Sequence, residues 1–329
     1  MPTTSTGSPQ THLGAIQESL TALGLNPETH RIPVYSYRIS ILVFTAVAVL
    51  GVLAGYAQPF GGLALTGIAW LLLAAELVRP VLARVKTGSS QNLSVTIPAR
   101  SKEFQKVVIV VPSGGQGVLP ATGLSEHVYY LVTLGLGLAV LLAHWLNLRG
   151  AVALLPLAFI PMAGLLLLAL LPETRERKHS PINSAALTEL VAMLFKARPA
   201  TTTVSLLFSG SASLNSGLLE LVRSLKGGPE LTYVITLGSA AGQDLQLLLS
   251  EGWLRLPADP FVKETFEEVA AQKGITLLQK NSGEFSRALP LKTRKYRTAT
   301  LLLPETEQGT ATGKNLRELL AGFIRRIEE

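Results

Sequence analysis

Cysteine is absent from the 329 residues. Disulfides, thiolate metal sites and a cysteine nucleophile are therefore excluded. Histidine is scarce: there are five, and none follows His179. Charged side chains make up only 16% of the chain against 48% hydrophobic residues, and the mean hydropathy is +0.37. That value is high for a water-soluble protein. The net charge is +7, but no basic stripe interleaved with exposed aromatics is present, so the sequence argues against nucleic-acid binding. Basic residues flanking membrane segments account for the excess more simply. The first thirty residues are polar and hold no apolar run, so a cleaved signal peptide is not expected.

What the chain does hold is four long apolar stretches. Residues 39–57 and 151–171 carry no charge, residues 60–78 carry only Glu76, and residues 128–146 carry only His144. Each reaches the roughly 20 residues that cross a bilayer as a helix. They read as two hairpins whose short turns, "QPF" and "NLRG", hold only Arg149 as a charge. The opposite ends are basic: Arg31, Arg38, Arg79, Arg84 and Lys86, then Arg175, Arg177 and Lys178. The positive-inside rule assigns those ends, both termini and everything outside the hairpins to the cytoplasm. Glu76 and Arg79, three apart, are placed to pair. His144 reads as an interfacial or interhelical hydrogen bonder. Pro156 and Pro161 predict a kink in the fourth helix. Gly61, Gly62 and Gly67 in the second helix, and Gly135 and Gly137 in the third, allow close approach. The hairpins are expected to pack as one bundle.

The rest of the chain alternates strands with amphipathic helices. Leu13, Ile16, Leu20 and Leu23 share one helical face that stops at Gly24. "NLSVTIP" (92–98) and "KVVIVV" (106–111) read as strands. Asn183 or Ser184 caps a helix with Leu187, Leu190, Val191 and Leu194 on its apolar face. Val204–Phe208 reads as a strand and Leu218–Leu225 as a helix. "LTYVITL" (231–237) is a strand, and Asp259 and Pro260 open a helix that runs to Gly274. "ITLLQ" and "TATLLL" are short strands. The final helix shows Leu316, Leu319, Leu320, Phe323, Ile324 and Ile327, and its polar "RRIEE" end could reach a partner. The pattern predicts a mostly parallel, three-layer α/β domain interrupted by two inserted transmembrane hairpins. Its divisions are residues 1–38 (N-terminal helix of the α/β domain), 39–84 (first hairpin), 85–126 (first strands), 127–172 (second hairpin) and 173–329 (remainder of the α/β domain).

Chemistry in such domains sits where strands empty into loops. "VSLLFSGSASLNSG" (204–217) is such a place, and it carries no charge and no histidine. Ser209, Ser211 and Ser213 lack the G-x-S-x-G elbow of a serine nucleophile. The candidate bases His12, His30, His127 and His179 lie at domain edges or beside membrane segments. "PSGGQG" (112–117) lacks the Gly-Lys-Ser/Thr ending of a phosphate loop, so no nucleotide is expected. "TRKYR" (293–297) reads as a solvated basic face that could touch anionic headgroups.

The order of these elements resembles the M28 family of zinc aminopeptidases. "IQESLTALGLNPETHRIPV" is similar to the family's opening helix, and "NLSVTIP" to the strand after it. "SPINSAALTELVAML" resembles the stretch that follows the bridging aspartate. "VSLLFSGSASLNSG" resembles the strand leading to the family's D-G-E-E loop, and "YVITLGSAAG" its "NLD" segment. The resemblance implies two zinc ions held by two His, two Asp or Glu and a bridging Asp, with a Glu as general base. Carried over residue by residue, that set is missing. Pro112 and Gly114 stand where a His-x-Asp belongs, Ser211 and Ala212 where the Glu pair belongs, and Gly238 where the Asp belongs. "KHSPINS" offers only His179 near the bridging position, and "NSGEFSRALP" (281–290) lacks the late His. Neutral hydroxyls cannot offset two divalent ions.

The sequence therefore predicts a pseudoenzyme with no catalytic, cofactor-binding or metal-binding residues and no cofactor. Its expected role is an interaction, assembly or regulatory subunit of a membrane complex, with other membrane proteins and the bilayer as partners. A peptide- or ligand-binding receptor that keeps the old cleft is the first alternative. A hydrolase with non-zinc chemistry is the second, and it would bring His179, Glu284 and Ser211 together.

Overall fold

The structure, a computed structural model, describes residues 9–35, 37–78, 86–112, 119–120, 126–150, 152–170, 173–174, 184–209, 228–240, 243–251, 255–281, 295–304 and 310–329. The chain divides into two compact units. One comprises Met1–Ile32, Ser90–Gln116 and Glu176–Glu329; the other comprises Pro33–Ser89 and Gly117–Arg175.

Nine strands form the sheet of the first unit. They are β1 (Glu28–Tyr35), β2 (Lys86–Ile97) and β3 (Gln105–Pro112), then, past two short strands β4 (Leu119–Pro120) and β5 (Glu173–Thr174) that pair only with each other, β6 (Thr202–Ser209), β7 (Thr232–Ala240), β8 (Leu245–Glu251), β9 (Leu256–Pro257), β10 (Leu277–Asn281) and β11 (Arg297–Pro304). The order is β1-β2-β6-β3-β7-β11-β8-β10, with β9 on β8. The centre, β6-β3-β7-β11, is parallel throughout. β2 joins β6 antiparallel, and β8 joins β11 antiparallel. The sheet is thus mixed around a parallel core. Strands β1, β8 and β9 were not foreseen from the sequence: β1 carries the charged "ETHR", and β9 is only two residues long.

The helices are α1 (Pro9–Ala22), α2 (Tyr37–Ala57), α3 (Pro59–Val78), α4 (Glu126–Leu148), α5 (Phe159–Leu170), α6 (Ser184–Lys196), α7 (Pro260–Lys273) and α8 (Thr310–Glu328). Alternation along the strands decides the faces of the sheet. Val107, Ile109 and Val111 of β3 point into one cluster with α1, α6, α7 and α8. Val108 and Val110 point into a smaller cluster on the other face, with Leu207 and Val234. The predicted second helical layer would come from residues 218–225, which lie outside the described residues, so the described layers number two. Within the large cluster Phe266 of α7 stacks on Phe323 of α8 at 4.6 Å. Truncating either ring to alanine should cost about 3–5 kcal/mol.

Local signals behave as the sequence implies. Asp259 accepts a hydrogen bond from the Val262 amide at 3.1 Å, Pro260 takes the first helical position, and Gly274 closes α7 in the left-handed region at φ 64°. Gly24 follows α1 at φ 78°.

The second unit holds α2 to α5. α2 and α3 form an antiparallel hairpin that glycine permits. A methyl group on Gly62 would lie 2.6 Å from the Gly55 Cα. Gly137 of α4 seats the Trp70 ring, 2.7 Å from where its own Cβ would be. The Trp70 indole then donates to the Leu134 carbonyl at 3.2 Å. Gly135 was expected to serve close approach as well, but nothing lies within 4 Å of its would-be Cβ. The glycines that do the work beside Gly62, Gly51 and Gly55 of α2, were not singled out. Residues Val152–Ala158 form a 3-10 helix around Pro156, and α-helix begins only at Phe159. Pro156 has no N–H to offer an α-helical ladder, which explains why the stretch 151–171 is not one continuous α-helix. Among the described residues, one helical segment, Leu131–Leu148, is long and apolar enough to cross a membrane. Ile41–Ala57, Pro59–Ala75 and Leu155–Leu170 are shorter apolar helical segments. The pairing of Glu76 with Arg79 lies outside the described side chains.

Candidate functional site

In open α/β sheets ligands bind at the carboxyl ends of the parallel strands. Here those ends are aligned. Pro112, the last residue of β3, is paired with Ser209, the last of β6. Gly238 is paired with Leu302 of β11 and lies two residues beyond Thr236, which pairs with Val110. Asn92 of β2 faces Ser209 in register. Parallel pairing therefore brings Pro112, Ser209 and Gly238 to one edge, as the sequence implied. None of them carries charge. Gly238 is also closely packed: a Cβ there would meet the Leu302 Cδ2 at 2.7 Å.

Sequence reasoning did not single out Asp244. It is exposed and precedes β8, whose Gln246 is paired with Leu302, so it lies towards the same edge. Its signal was weak, because a single Asp in "GQDLQ" has no ligand spacing. Among the described residues no three His, Asp or Glu side chains come close enough to hold a metal ion. Gly114, His179, Ser211, Ala212, Ser213 and Glu284 lie outside the described residues. A dizinc centre needs several carboxylate or imidazole donors and a bridging carboxylate. Among the described residues of this edge, Pro112, Ser209 and Gly238 supply no such donor.

His30 is on β1, two strands away from β6 in the sheet order. Its Nε2 lies 3.0 Å from the Ser94 hydroxyl and 3.5 Å from Glu28. It is exposed and does not approach Ser209 as a base would.

At the opposite edge the chain fastens its own C-terminus. The Gln105 side-chain amide donates to the Ile327 carbonyl at 2.7 Å and to the Thr202 hydroxyl at 3.0 Å. Glu328 accepts from the Thr201 and Thr202 amides at 2.9 and 3.1 Å. Arg326 pairs with Glu268 and Glu329, and both carboxylates raise its pKa, the hydrogen bond to Glu329 most. The polar end of α8, expected to be available to a partner, is thus engaged with its own sheet and with α7.

Porphyromonas gingivalis glutaminyl cyclase aligns over 98% of this chain and 91% of its own, at 8% identity and a TM-score of 0.50. The mixed α/β sheet with flanking helices is thus similar in fold to that glutaminyl cyclase. An Acidobacteriales bacterium glutaminyl cyclase aligns over 98% of this chain and 87% of its own, at 13% identity and a TM-score of 0.48. The zinc aminopeptidase BSAP from Bacillus subtilis aligns over 73% of this chain and 50% of its own, at 12% identity and a TM-score of 0.44. No protein-family model matches the sequence, and no curated protein matches it. Such identities speak to the fold and not to the reaction.

The second unit contains a polar cluster of a different kind. His144 of α4 is fully buried, and its Nε2 lies 3.1 Å from the Thr66 hydroxyl of α3. One turn on, the Asn147 amide donates to the Gly55 carbonyl of α2 at 3.1 Å. Gly55 is what makes room, since a Cβ there would stand 3.2 Å from the His144 ring. Three helices from both hairpins are joined by two hydrogen bonds. His144 is an interhelical hydrogen bonder, one of the two roles its sequence position suggested. Thr66 was missed because threonine is common in an apolar helix; Asn147 was missed because the sequence places it in the "NLRG" turn, whereas α4 continues to Leu148.

Proposed function

We propose that this chain is a non-catalytic, multi-pass membrane protein whose degenerate M28-like domain acts as an interaction, assembly or regulatory subunit of a membrane complex. The observation that supports this reading is that Pro112 and Gly238, two of the positions the resemblance matches to metal ligands, stand without charge at the carboxyl ends of the parallel strands, beside Ser209. The membrane part is supported by helix length. α2, α3 and α4 have 21, 20 and 23 residues, and at about 1.5 Å per residue each spans roughly 30 Å. The 3-10 segment adds to the 12 residues of α5 to approach the same span. Leu50, Leu71, Leu131, Ile160 and Leu167 of this unit point outward and are exposed, which fits a lipid surround better than water. The basic flanks assign both termini and the α/β domain to the cytoplasm. Other membrane proteins and the bilayer are the partners.

The full chain, extracted from membranes in mild detergent and dialysed exhaustively, should contain no stoichiometric zinc by elemental analysis. It should turn over neither aminopeptidase substrates nor N-terminal glutaminyl peptides. Two zinc ions per chain, or genuine turnover in either assay, would overturn the reading and restore the hydrolase alternative. Recovery in the soluble fraction without detergent would overturn its membrane half.

A further inference from the structure

We propose that the groove between α3 and α4 seats one acyl chain of a phospholipid, with Arg149 holding the phosphate. The proposal rests on the membrane reading above and gives that surface a specific occupant. The groove has a volume of about 550 Å³ and is lined by Leu63, Leu138, Leu141, Leu142 and Trp145. It lies on the outside of the bundle, with Leu138 at 55%, Leu142 at 54% and Trp145 at 45% exposure. Its walls are apolar, and its charge stands at one end only. The Arg149 guanidinium lies 4.7 Å from the centroid of the Trp145 ring. Among the described residues no carboxylate pairs with Arg149. Stacking on Trp145 holds the cation over the groove's end and leaves its N–H donors free for an anion.

The dimensions suit a lipid. From Leu138 to Arg149 is a rise of about 16 Å along α4. That is roughly half of the ~30 Å hydrocarbon core, the depth one leaflet's acyl chain occupies. Trp145 and Arg149 then sit at headgroup level, where Trp and Arg are favoured. α4 ends there: the Gly150 amide donates to the Asn147 carbonyl, and Gly150 turns at φ 87°. Leu63 belongs to the first turns of α3, so both hairpin turns lie at this end of the bundle. An apolar trough of one-leaflet depth with a lone cation at its mouth is complementary to an amphiphile with an anionic head. It is not complementary to a second apolar helix, which would leave Arg149 without a partner.

The test is native mass spectrometry of the full chain from mild detergent, titrated with phosphatidylglycerol, with phosphatidylcholine, and with an alkyl maltoside of matched chain length. The expected result is retention of both phospholipids and no retention of the maltoside. Leu142→Trp fills the trough from an exposed position, and Arg149→Gln removes the charge; each should weaken phospholipid retention by about tenfold. Equal retention of the maltoside would overturn the role of the phosphate, and unchanged retention in both variants would overturn the site. A chain that needs detergent yet keeps its lipid in both variants refutes the groove alone. A chain that is soluble without detergent refutes the membrane reading first. Circular dichroism on both variants separates lost binding from lost fold.

Discussion

The two units handle polar groups in opposite ways. At the carboxyl edge of the sheet stand the uncharged residues Pro112, Ser209 and Gly238. The sheet does not depend on them: its order rests on Val107, Ile109, Val111 and their register partners, buried well inside the edge. In the bundle, Thr66, His144 and Asn147 are buried and bonded across three helices. There the polar groups are part of the packing: the His144 Nε2 and the Asn147 amide nitrogen find partners on neighbouring helices, whereas the His144 Nδ1 and the Asn147 Oδ1 are buried without one.

The sharpest way to break that contrast is at the α2–α3 contact. Gly62→Ala places a methyl group 2.6 Å from the Gly55 Cα and 2.7 Å from the Gly51 carbonyl oxygen. Both are backbone atoms, which cannot swing aside. A loss of about 3 kcal/mol is expected, read as a fall in the thermal unfolding midpoint of the detergent-solubilised protein. Gly135→Ala is the paired control. Its methyl meets nothing within 4 Å, and it should be neutral or stabilise by up to about 1 kcal/mol. Equal effects at the two positions would contradict the close-packed hairpin.

How much of this was legible in the sequence follows from the range of the interactions. The alternation in "KVVIVV" and "VSLLF", the Asp259-Pro260 start and the Gly274 stop are local, and they correctly gave strands and a helix. The apolar periodicity of α8 was legible for the same reason: Leu316, Leu319, Leu320 and Phe323 are all buried. The antiparallel flanks of the sheet were not, because β2 pairs with β6 across more than a hundred residues, as in Thr96 with Ser205. Nor was the choice of glycine: Gly135 and Gly137 look alike in sequence, and only the Trp70 ring distinguishes them. That Pro112, Ser209 and Gly238 carry no charge is plain from residue type; that they come to one edge depends on the register of the strands. Asp244 escaped because its nearness to that edge depends on how β8 runs against β11.

A second test is directed at the polar network. Thr66→Val keeps the shape of the side chain and removes the hydroxyl that faces the His144 Nε2. The expected loss is about 1 kcal/mol, the range measured for interhelical hydrogen bonds in membranes. Thr66→Ser should restore most of it. If valine is tolerated without loss, the hydrogen bond does not organise the helices, and the difference between the two units shrinks.

At the sheet edge a smaller effect is expected from Gly238→Ala. The new methyl meets only the Leu302 Cδ2, the far end of a flexible side chain, so a rotamer change of about 0.5–1.5 kcal/mol absorbs it. Gly238→Asp places there the residue that the zinc aminopeptidase resemblance calls for. It should cost more stability than alanine, since its carboxylate enters a half-buried site, and on the proposed non-catalytic reading it should leave zinc content at background. Zinc uptake by that single substitution would mean that the remaining ligands are present after all.

The least effect is expected from replacing Ser209, Ser211 and Ser213 together by alanine. Ser209 ends β6 and is buried; Ser211 and Ser213 follow outside the described residues. Were one of them a nucleophile, its removal would cost orders of magnitude in turnover, because a nucleophile and its base act as a unit. His30 is two strands away in the sheet order and bonded to Ser94, so it does not serve Ser209 as a base. The fold by circular dichroism should be unchanged, and the stability should move by no more than about 1 kcal/mol. A peptidase assay run alongside on wild type and variant decides the matter. Turnover present in the wild type and absent from a folded triple variant would make the edge an active site and reverse the contrast between the two units.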